Sequence, residues 1–325
     1  MVIVSDIYST ALWNWNAAAA VSPPPRESDT RENFAGTEMR VSWWRPGWAD
    51  RHPGVMLANG ATSAGNDDTE TRRLAEALAR GGYFVMLPEF AFLKAGRLEP
   101  GATAQMDAAF AMLRNSPETA DRPVGGFGFS IGGGIMLAAA GRAGALARAD
   151  YLAVLGTYYD LDTYLASVAS HMQSRRGALE PWPADREVVD RLPPAALDAM
   201  DDGSDRAALR AALDADGYDE VLARLRGLSP SARATFDQLS PRTGWATIHA
   251  PVFWLHDGND RFEPIAEAEA AVATTRDGRT ELTVSHLISH AAPIGEEQGT
   301  SGLGFWFTEL RTVIGFALSV LRAGG

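Results

Sequence analysis

The chain of 325 residues contains no cysteine, which excludes disulfides, thiolate metal sites and a cysteine nucleophile together. It also lacks any run of about 18 consecutive apolar residues, so the sequence predicts no segment that spans a bilayer. Positive charge is scarce, and the formal net charge is -12. Because phosphate groups are bound by clustered Lys and Arg, this balance argues against nucleic acid or an anionic membrane surface as the partner.

Hydrophobic residues make up 46% of the chain and charged residues 22%, which is typical of a soluble globular protein. An apolar patch at residues 11–21 contains Trp13 and Trp15, but no basic residue precedes it, as a signal peptide would require. We therefore expect residues 1–37 to be an N-terminal extension whose tryptophans pack on the body, and we expect a cytoplasmic location. The oligomeric state, monomer or homodimer, stays open at this point.

Short apolar runs alternate with segments of helical periodicity along most of the chain. The runs predicted as strands are residues 38–44, 55–58, 83–88, 123–129, 151–155, 251–255 and 281–287. Helices are predicted at residues 67–80, 103–114, 265–273 and 305–321. This alternation predicts an α/β fold with a mostly parallel central sheet and helices on both faces. Ligands of such sheets bind at the carboxyl ends of the strands.

The alternation stops between residues 160 and 240, where Ala, Leu, Arg and Asp are frequent and no convincing strand is found. Helices are predicted there at residues 161–172, 186–191, 207–213 and 220–225. The segment leaves from the carboxyl end of one core strand and returns ahead of another. We therefore predict a helical lid at residues 160–240, inserted into a core formed by residues 38–159 and 241–325.

Aromatic side chains of this insertion and its approach offer two interpretations. They either line a substrate pocket or fill the interior of the lid itself, and the second interpretation is favoured. The residues concerned are Tyr158, Tyr159, Tyr164, Trp182 and Phe236.

Residues 128–132 read Gly-Phe-Ser-Ile-Gly and match the pattern G-x-S-x-G between a predicted strand and a segment rich in helix formers. A sharp turn from strand to helix presents the serine hydroxyl, and small residues such as Gly128 and Gly132 let the strand and helix approach closely. Ser130 is therefore the predicted nucleophile. Because the pattern is short, a glycine-rich junction without chemistry is the alternative.

A serine hydroxyl needs a general base within hydrogen-bond reach, and the base needs a carboxylate that orients it. His290 is the predicted base because it lies just past the last predicted strand, whereas His286 is predicted to lie inside that strand. The other histidines fit less well: His52 and His249 precede strands, His171 is in the insertion, and His256 ends a strand.

The orienting carboxylate is predicted on the loop that follows the strand at residues 251–255. Asp260 lies far enough along this loop to turn back toward the histidine, and Asp257 is expected only to shape the turn. Glu263 is the weaker alternative. A role for Asp260 as the cap of the next helix is also open.

Hydrolysis of an ester or amide also needs two N–H donors aimed at the developing oxyanion. One is expected from Ile131, the residue after the nucleophile. The second is expected from Ala61, on the loop where Asn59 and Gly60 let the backbone turn sharply after a strand. A purely local role for Asn59 in this turn is equally open. Nothing in the sequence predicts a metal or an organic cofactor.

Ser130, Asp260 and His290 follow one another in the order used by the α/β-hydrolase superfamily, which the chain resembles from residue 38 to 325 outside the insertion. The likeness is greatest to the dienelactone hydrolase and esterase-like branch. The segments that carry this likeness are residues 59–60, 128–134, 256–264 and His290.

Three departures qualify the resemblance. Asn59 stands where many members have His, Asp257 replaces a Gly, and Ser130 replaces the cysteine of true dienelactone hydrolases. The resemblance, together with the serine, implies a carboxylesterase that acts on a small-molecule ester through an acyl-enzyme. An amide or peptide hydrolase with the same triad and a non-catalytic binding protein on the same fold are the alternatives.

Overall fold

The computed structural model describes residues 23–48, 50–275, 278–290, 292–293 and 303–325. The apolar patch at residues 11–21 lies outside these ranges. Within them, no helix is both long enough and apolar enough to cross a membrane.

An eight-stranded sheet forms the centre of the fold. In chain order the strands are β1 Arg26–Phe34, β2 Thr37–Arg45, β3 Gly54–Ala58, β4 Phe84–Pro88, β5 Val124–Phe129, β6 Leu152–Leu155, β7 Met172–Arg175, β8 Ala178–Pro181, β9 Val252–Asp257, β10 Thr280–Ser285, β11 Ile288–Ser289 and β12 Ala292–Pro293. The order across the sheet is β1-β2-β4-β3-β5-β6-β9-β10, while β7 pairs with β8 and β11 with β12 in separate hairpins. The five pairs β4-β3, β3-β5, β5-β6, β6-β9 and β9-β10 are parallel, and β2 pairs antiparallel with β1 and β4. This mostly parallel sheet confirms the predicted α/β class.

The central strands are continuous apolar runs because helices cover both faces of a parallel sheet. Every residue of β3 and β4 is buried. β5 pairs with β3 up to Ala58 opposite Gly128, and with β6 up to Phe129 opposite Leu155. The carboxyl ends of β3, β5 and β6 therefore lie side by side, and the loops that follow them meet at one edge of the sheet.

β1 is a strand that the apolar pattern did not predict. It pairs with β2 from Arg26 opposite Arg45 to Phe34 opposite Thr37, and Phe34 is its one buried residue. An edge strand can be held by backbone hydrogen bonds to its neighbour, so it needs no apolar alternation. The sheet therefore begins at Arg26, and the predicted core boundary at residue 38 was wrong.

The helices that flank the sheet are Thr69–Arg80, Ala91–Lys94, Ala102–Arg114, Ser130–Ala140, Ile265–Thr274 and Leu303–Ala323. The first of these begins after Asp68, whose carboxylate accepts the N–H of Thr71 at 2.9 Å and so caps the helix. Side chains of helices 102–114, 130–140 and 265–274 pack in the core on one face of the sheet. Helices 69–80 and 303–323 pack in the core on the other face.

The segment between β6 and β9 is mainly helical, as predicted. Its helices are Leu161–Ser170, Arg186–Asp198, Gly203–Leu213, Tyr218–Arg226 and Pro230–Leu239. The β7–β8 hairpin corrects the expectation that it contains no strand, since four residues on each side of a tight turn are too few for a recognisable pattern. The carboxylate of Glu267 accepts the N–H groups of Tyr159 and Asp160 at 2.9 and 2.8 Å, which ties the start of this segment to the core.

Candidate active site

Ser130 lies at the turn from β5 into helix 130–140, with a φ of 48°. A positive φ is unfavourable for a residue with a side chain, so the surrounding structure has to hold it. Part of that support is the hydroxyl of Thr157, which donates to the Ser130 carbonyl oxygen at 2.6 Å. We call residues 128–134 the nucleophile elbow.

Three predicted glycines lie where backbones approach closely. A Cβ on Gly128 would overlap the first turn of helix 130–140, and a Cβ on Gly132 would overlap the carbonyl oxygen of Asn59. A Cβ on Gly60 would lie 3.2 Å from the Cβ of Ser130. The loop after β3 is therefore packed directly on the nucleophile elbow.

The two predicted oxyanion donors line the same cavity as Ser130. Ile131 is in the first turn of helix 130–140, and Ala61 is on the loop after β3. The side-chain amide of Asn59 donates to the Gly65 carbonyl at 2.9 Å, so it stabilises that loop. The donor roles of Ile131 and Ala61 stay predictions.

His290 and Asp260, the predicted base and carboxylate, are joined by a hydrogen bond. The Nδ1 atom of His290 lies 2.9 Å from Oδ2 of Asp260 in a hydrogen bond. The other oxygen of Asp260 accepts the N–H groups of Phe262 at 2.7 Å and Glu263 at 3.0 Å. Asp260 is 4% exposed, and these bonds compensate for the burial of its charge.

The contact between Glu263, the weaker alternative for the carboxylate, and Ser130 was not predicted from the sequence. The Ser130 hydroxyl donates to Oε1 of Glu263 at 2.7 Å, and Oε2 of Glu263 lies 3.0 Å from Nδ1 of His290. No hydrogen bond joins Ser130 to His290 among the described residues, so the role of His290 as the base stays a prediction. The Glu263 carboxylate occupies the position between the two side chains.

The electrostatics of this cluster favour a charged imidazole. Burial lowers the pKa of His290, but the carboxylates of Glu263 and Asp260 outweigh it and hold that pKa well above its usual value. Burial raises the pKa of Asp260, but its interactions with His290 outweigh this and leave the pKa below its usual value. The two carboxylates therefore favour the protonated form of His290.

Residues 256–264, which we call the acid loop, are positioned by buried hydrogen bonds. The indole of Trp254 donates to Nδ1 of His256 at 3.3 Å, so the other ring nitrogen of His256 donates to the Glu263 carbonyl at 3.0 Å. The indole of Trp182 donates to the Asp260 carbonyl at 2.8 Å. These bonds turn the Glu263 side chain toward Ser130, and the spacing of residues in the sequence does not reveal them.

Comparison with protein-family models and with curated proteins finds no match to this sequence. Solved structures are similar to it. A dienelactone hydrolase from Anabaena variabilis has a TM-score of 0.51 and 17% identity, over 91% of this chain and 96% of that one. Brefeldin A esterase, a bacterial homologue of human hormone-sensitive lipase, has a TM-score of 0.55 and 17% identity, over 99% of this chain and 84% of that one.

An acylaminoacyl peptidase from Pyrococcus horikoshii has a TM-score of 0.56 and 12% identity, over 94% of this chain. This chain spans 43% of the peptidase, so less than half of its length. The chain has the α/β-hydrolase fold. At these identities the likeness shows the fold and carries no substrate with it.

In this α/β-hydrolase fold the remaining histidines lie away from the serine. The side chain of His286 is 42% exposed and lies 3.5 Å from Glu309. β10 ends at Ser285, so the prediction that His286 lies inside the strand was wrong. His249 precedes β9, His52 precedes β3, and His171 ends helix 161–170.

Two other residues shape the site without touching Ser130 Oγ in the described structure. Asp257 accepts the N–H of Asn259 at 2.9 Å and that of His290 at 3.4 Å, consistent with the predicted role in the turn. Gly156, at the end of β6, has a φ of 49°, and a Cβ there would lie 3.0 Å from Nδ1 of His290. Its conformation leaves room for the imidazole.

The ligand atoms of Asp260, Glu263 and His290 lie within 4.8 Å of one another, close enough for one metal ion. A cation would need the lone pair of Nδ1. That atom already lies in a hydrogen bond with Asp260, and the raised pKa of His290 favours the protonated ring. The three groups fit a shared proton better than a metal, and we assign none.

The serine opens into a cavity of about 540 Å³. Around Ser130 its walls include Ile131, Phe262 and His290, together with Val188 and Leu192 of the insertion. Of the predicted insertion aromatics, Tyr164 lies on this wall and donates its hydroxyl to the Phe262 carbonyl at 2.8 Å. The other four are buried in the core, in line with the favoured interpretation of those residues.

Proposed function

We propose that this protein is a serine hydrolase that cleaves carboxylic esters of small molecules through an acyl-enzyme. The observation that carries the proposal is the position of Ser130. Its hydroxyl stands on a strained strand-to-helix turn, at the carboxyl ends of the parallel strands, in contact with a buried cluster of Glu263, His290 and Asp260. Such a turn presents a nucleophile in the α/β-hydrolase fold.

In the first step, the Ser130 oxygen forms a bond to the ester carbonyl carbon, and the carbonyl oxygen becomes an oxyanion. The hydroxyl proton goes to His290. His290 acts as the neutral imidazole, so its Nε2 proton is lost to solvent before the reaction. Because Nδ1 is engaged by Asp260, Nε2 is the ring nitrogen that accepts the hydroxyl proton, once the hydroxyl has released Glu263. The proton then passes to the alkoxide that leaves, and the acyl group stays on Ser130.

In the second step, water donates a proton to His290 and attacks the acyl carbon, which releases the carboxylic acid and restores Ser130. Both steps develop negative charge on the carbonyl oxygen. We assign its stabilisation to the N–H groups of Ile131 and Ala61, which line the cavity beside Ser130. We also propose the insertion as the lid of this cavity, because Val188 and Leu192 contribute to its wall.

A fluorophosphonate probe and p-nitrophenyl acetate test the proposal. We expect the probe to label Ser130 and the ester to be hydrolysed, with both signals lost in Ser130→Ala while the circular dichroism of the fold is unchanged. Neither labelling nor turnover in the wild-type protein would leave a non-catalytic binding protein as the better description. Labelling of Ser130 without ester turnover would favour an amide substrate.

A further inference from the structure

The cavity at Ser130 continues over the face of the sheet that helices 69–80 and 303–323 cover. Its wall there includes Val55, Phe127, Tyr151, Leu78, Phe316 and Ala317. We call this part the sheet-face channel. It follows β5 from Ser130 to Gly125, which packs against the ring of Tyr151. At about 3.3 Å per residue, these five steps correspond to a path of roughly 16 Å.

The walls of the sheet-face channel are apolar along this path. Phe127 lies 5.0 Å from Phe129 and 6.4 Å from Phe316 between ring centroids, so aromatic rings form one side of it. Leu78 of helix 69–80 and Ala317 of helix 303–323 flank them. A neutral, apolar ligand is the kind that such a surface stabilises.

Charged residues of the cavity are concentrated at its serine end. Arg73 pairs with Glu70 at 2.8 Å near the start of helix 69–80, and Arg191 pairs with Glu187 at 2.7 Å in the insertion. These pairs can face solvent at the entrance while the interior stays apolar. The polarity therefore falls from the entrance toward the far end of the channel.

The far end carries two phenols, and neither is charged. The hydroxyl of Tyr83 donates to the Leu321 carbonyl and that of Tyr151 to the Gly54 carbonyl, both at 3.4 Å. Burial raises the pKa of Tyr83 to about 12 and that of Tyr151 well above its usual value. Because both hydroxyls already donate to backbone carbonyls, this end of the channel presents an uncharged surface to a ligand.

We propose that the sheet-face channel binds a long unbranched hydrocarbon chain of the ester whose carbonyl carbon is attacked by Ser130. This inference rests on the proposed function and adds the class of substrate. A linear chain can follow a path of this length between two helices, and its methylene groups match the apolar walls. The ester carbonyl stays at the serine end, beside the only strongly polar part of the cavity among the described residues.

Two series of esters test the proposal and identify the side of the ester that carries the chain. In p-nitrophenyl acetate, octanoate and dodecanoate the chain is on the acyl side, whereas in ethyl, octyl and dodecyl acetate it is on the alcohol side. We expect kcat/KM to rise by about fourfold per methylene over the first part of one series. A flat response in both series would overturn the proposal.

Ala317→Trp tests the location of the chain. The larger side chain would fill the channel. In the ester series that responds to chain length, we therefore expect kcat/KM for the twelve-carbon ester to fall by about 100-fold, while that for the shortest ester stays within about twofold. Leu318→Trp is the matched control, because Leu318 is on the same helix but 39% exposed, and it should change neither value. Val320→Phe, on the next turn, provides a second constriction if Ala317→Trp folds poorly.

Covalent labelling separates this proposal from the function on which it rests. A fluorophosphonate with a dodecyl chain should label Ser130 faster than one with an ethyl chain, and Ala317→Trp should remove that difference. Labelling at equal rates by both probes would overturn the chain-binding proposal while leaving the nucleophile intact. Absence of labelling by either probe would overturn the proposed function itself.

Discussion

The nucleophile elbow and the acid loop meet at the Ser130 hydroxyl, but they are built by different means. The elbow consists of small and apolar residues packed so closely that a Cβ on Gly132 would overlap a neighbouring carbonyl. The acid loop contains His256, Asp260 and Glu263, all buried and held by hydrogen bonds. Backbone packing defines where Ser130 stands, and side-chain hydrogen bonds define the partners of its hydroxyl.

This difference separates two kinds of mutational effect. A change in the elbow displaces the serine and destabilises the fold around it. A change in the acid loop leaves the serine in place and alters the protonation of His290. Variants of the two regions should therefore differ in whether stability or the pH dependence of activity responds.

The largest effect is expected at Asp260. Asp260→Asn removes the charge that orients His290, so kcat for ester hydrolysis should fall by about 10⁴-fold with the fold retained. Asp257→Asn, on the same loop, is the matched control and should cost no more than about fivefold, since it affects a single hydrogen bond. Equal losses in both variants would show that the loop acts as a unit and that Asp260 has no separate role.

Glu263→Gln should change the pH dependence of activity. The base form of His290 is neutral, so kcat/KM rises with pH through the pKa of that residue, which the Glu263 carboxylate raises. Removing this charge should move the acidic limb of the profile down by about 1–3 pH units. Glu309→Gln, beside the half-exposed His286, should leave the limb where it is. An unmoved limb in Glu263→Gln would contradict the electrostatic role of Glu263.

Gly132→Ala should destabilise the nucleophile elbow. Its Cβ would overlap the Asn59 carbonyl oxygen, so we expect a loss of about 3 kcal/mol in the free energy of unfolding, measured by chemical denaturation. Gly203→Ala is the control, because nothing lies within 4 Å of a Cβ at the start of its helix. It should be neutral or slightly stabilising. An unchanged free energy of unfolding in Gly132→Ala would mean that the loop after β3 moves to make room for the Cβ.

The smallest effect is expected at Thr157, the polar support of the elbow. Thr157→Val removes the hydroxyl that donates to the Ser130 carbonyl while keeping the shape, and should cost about 1 kcal/mol of unfolding free energy. Thr157→Ser keeps the donor and should retain most of that stability. Equal stability of the two variants would show that the positive φ of Ser130 does not depend on this bond.

The core of the fold could be predicted from the sequence because its strands are buried on both faces. β3, β4 and β9 contain apolar runs bounded by turn residues, and such runs predict buried strands. β1 could not be predicted, since its stability comes from the backbone of β2 and leaves no pattern in its side chains.

The candidate site divides in the same way. Ser130, Asp260 and His290 follow from a local motif and from positions after strands, so they could be predicted as site residues before their contacts were known. The contact between Glu263 and Ser130 could not, because it depends on bonds from Trp254 and His256 that bend the acid loop. A glutamate followed by Pro264 resembles an ordinary start of a helix in the sequence.

β1 has a further consequence for how copies of this chain meet. Among the described residues no strand pairs with its outer edge, which could take up another strand, yet its exposed side chains include Arg26, Glu27, Asp29 and Arg31. Charged residues of both signs on an edge strand disfavour the addition of a foreign strand. β1 thus has two effects as the edge strand: it pairs with the backbone of β2, and its charges disfavour aggregation of copies through that edge.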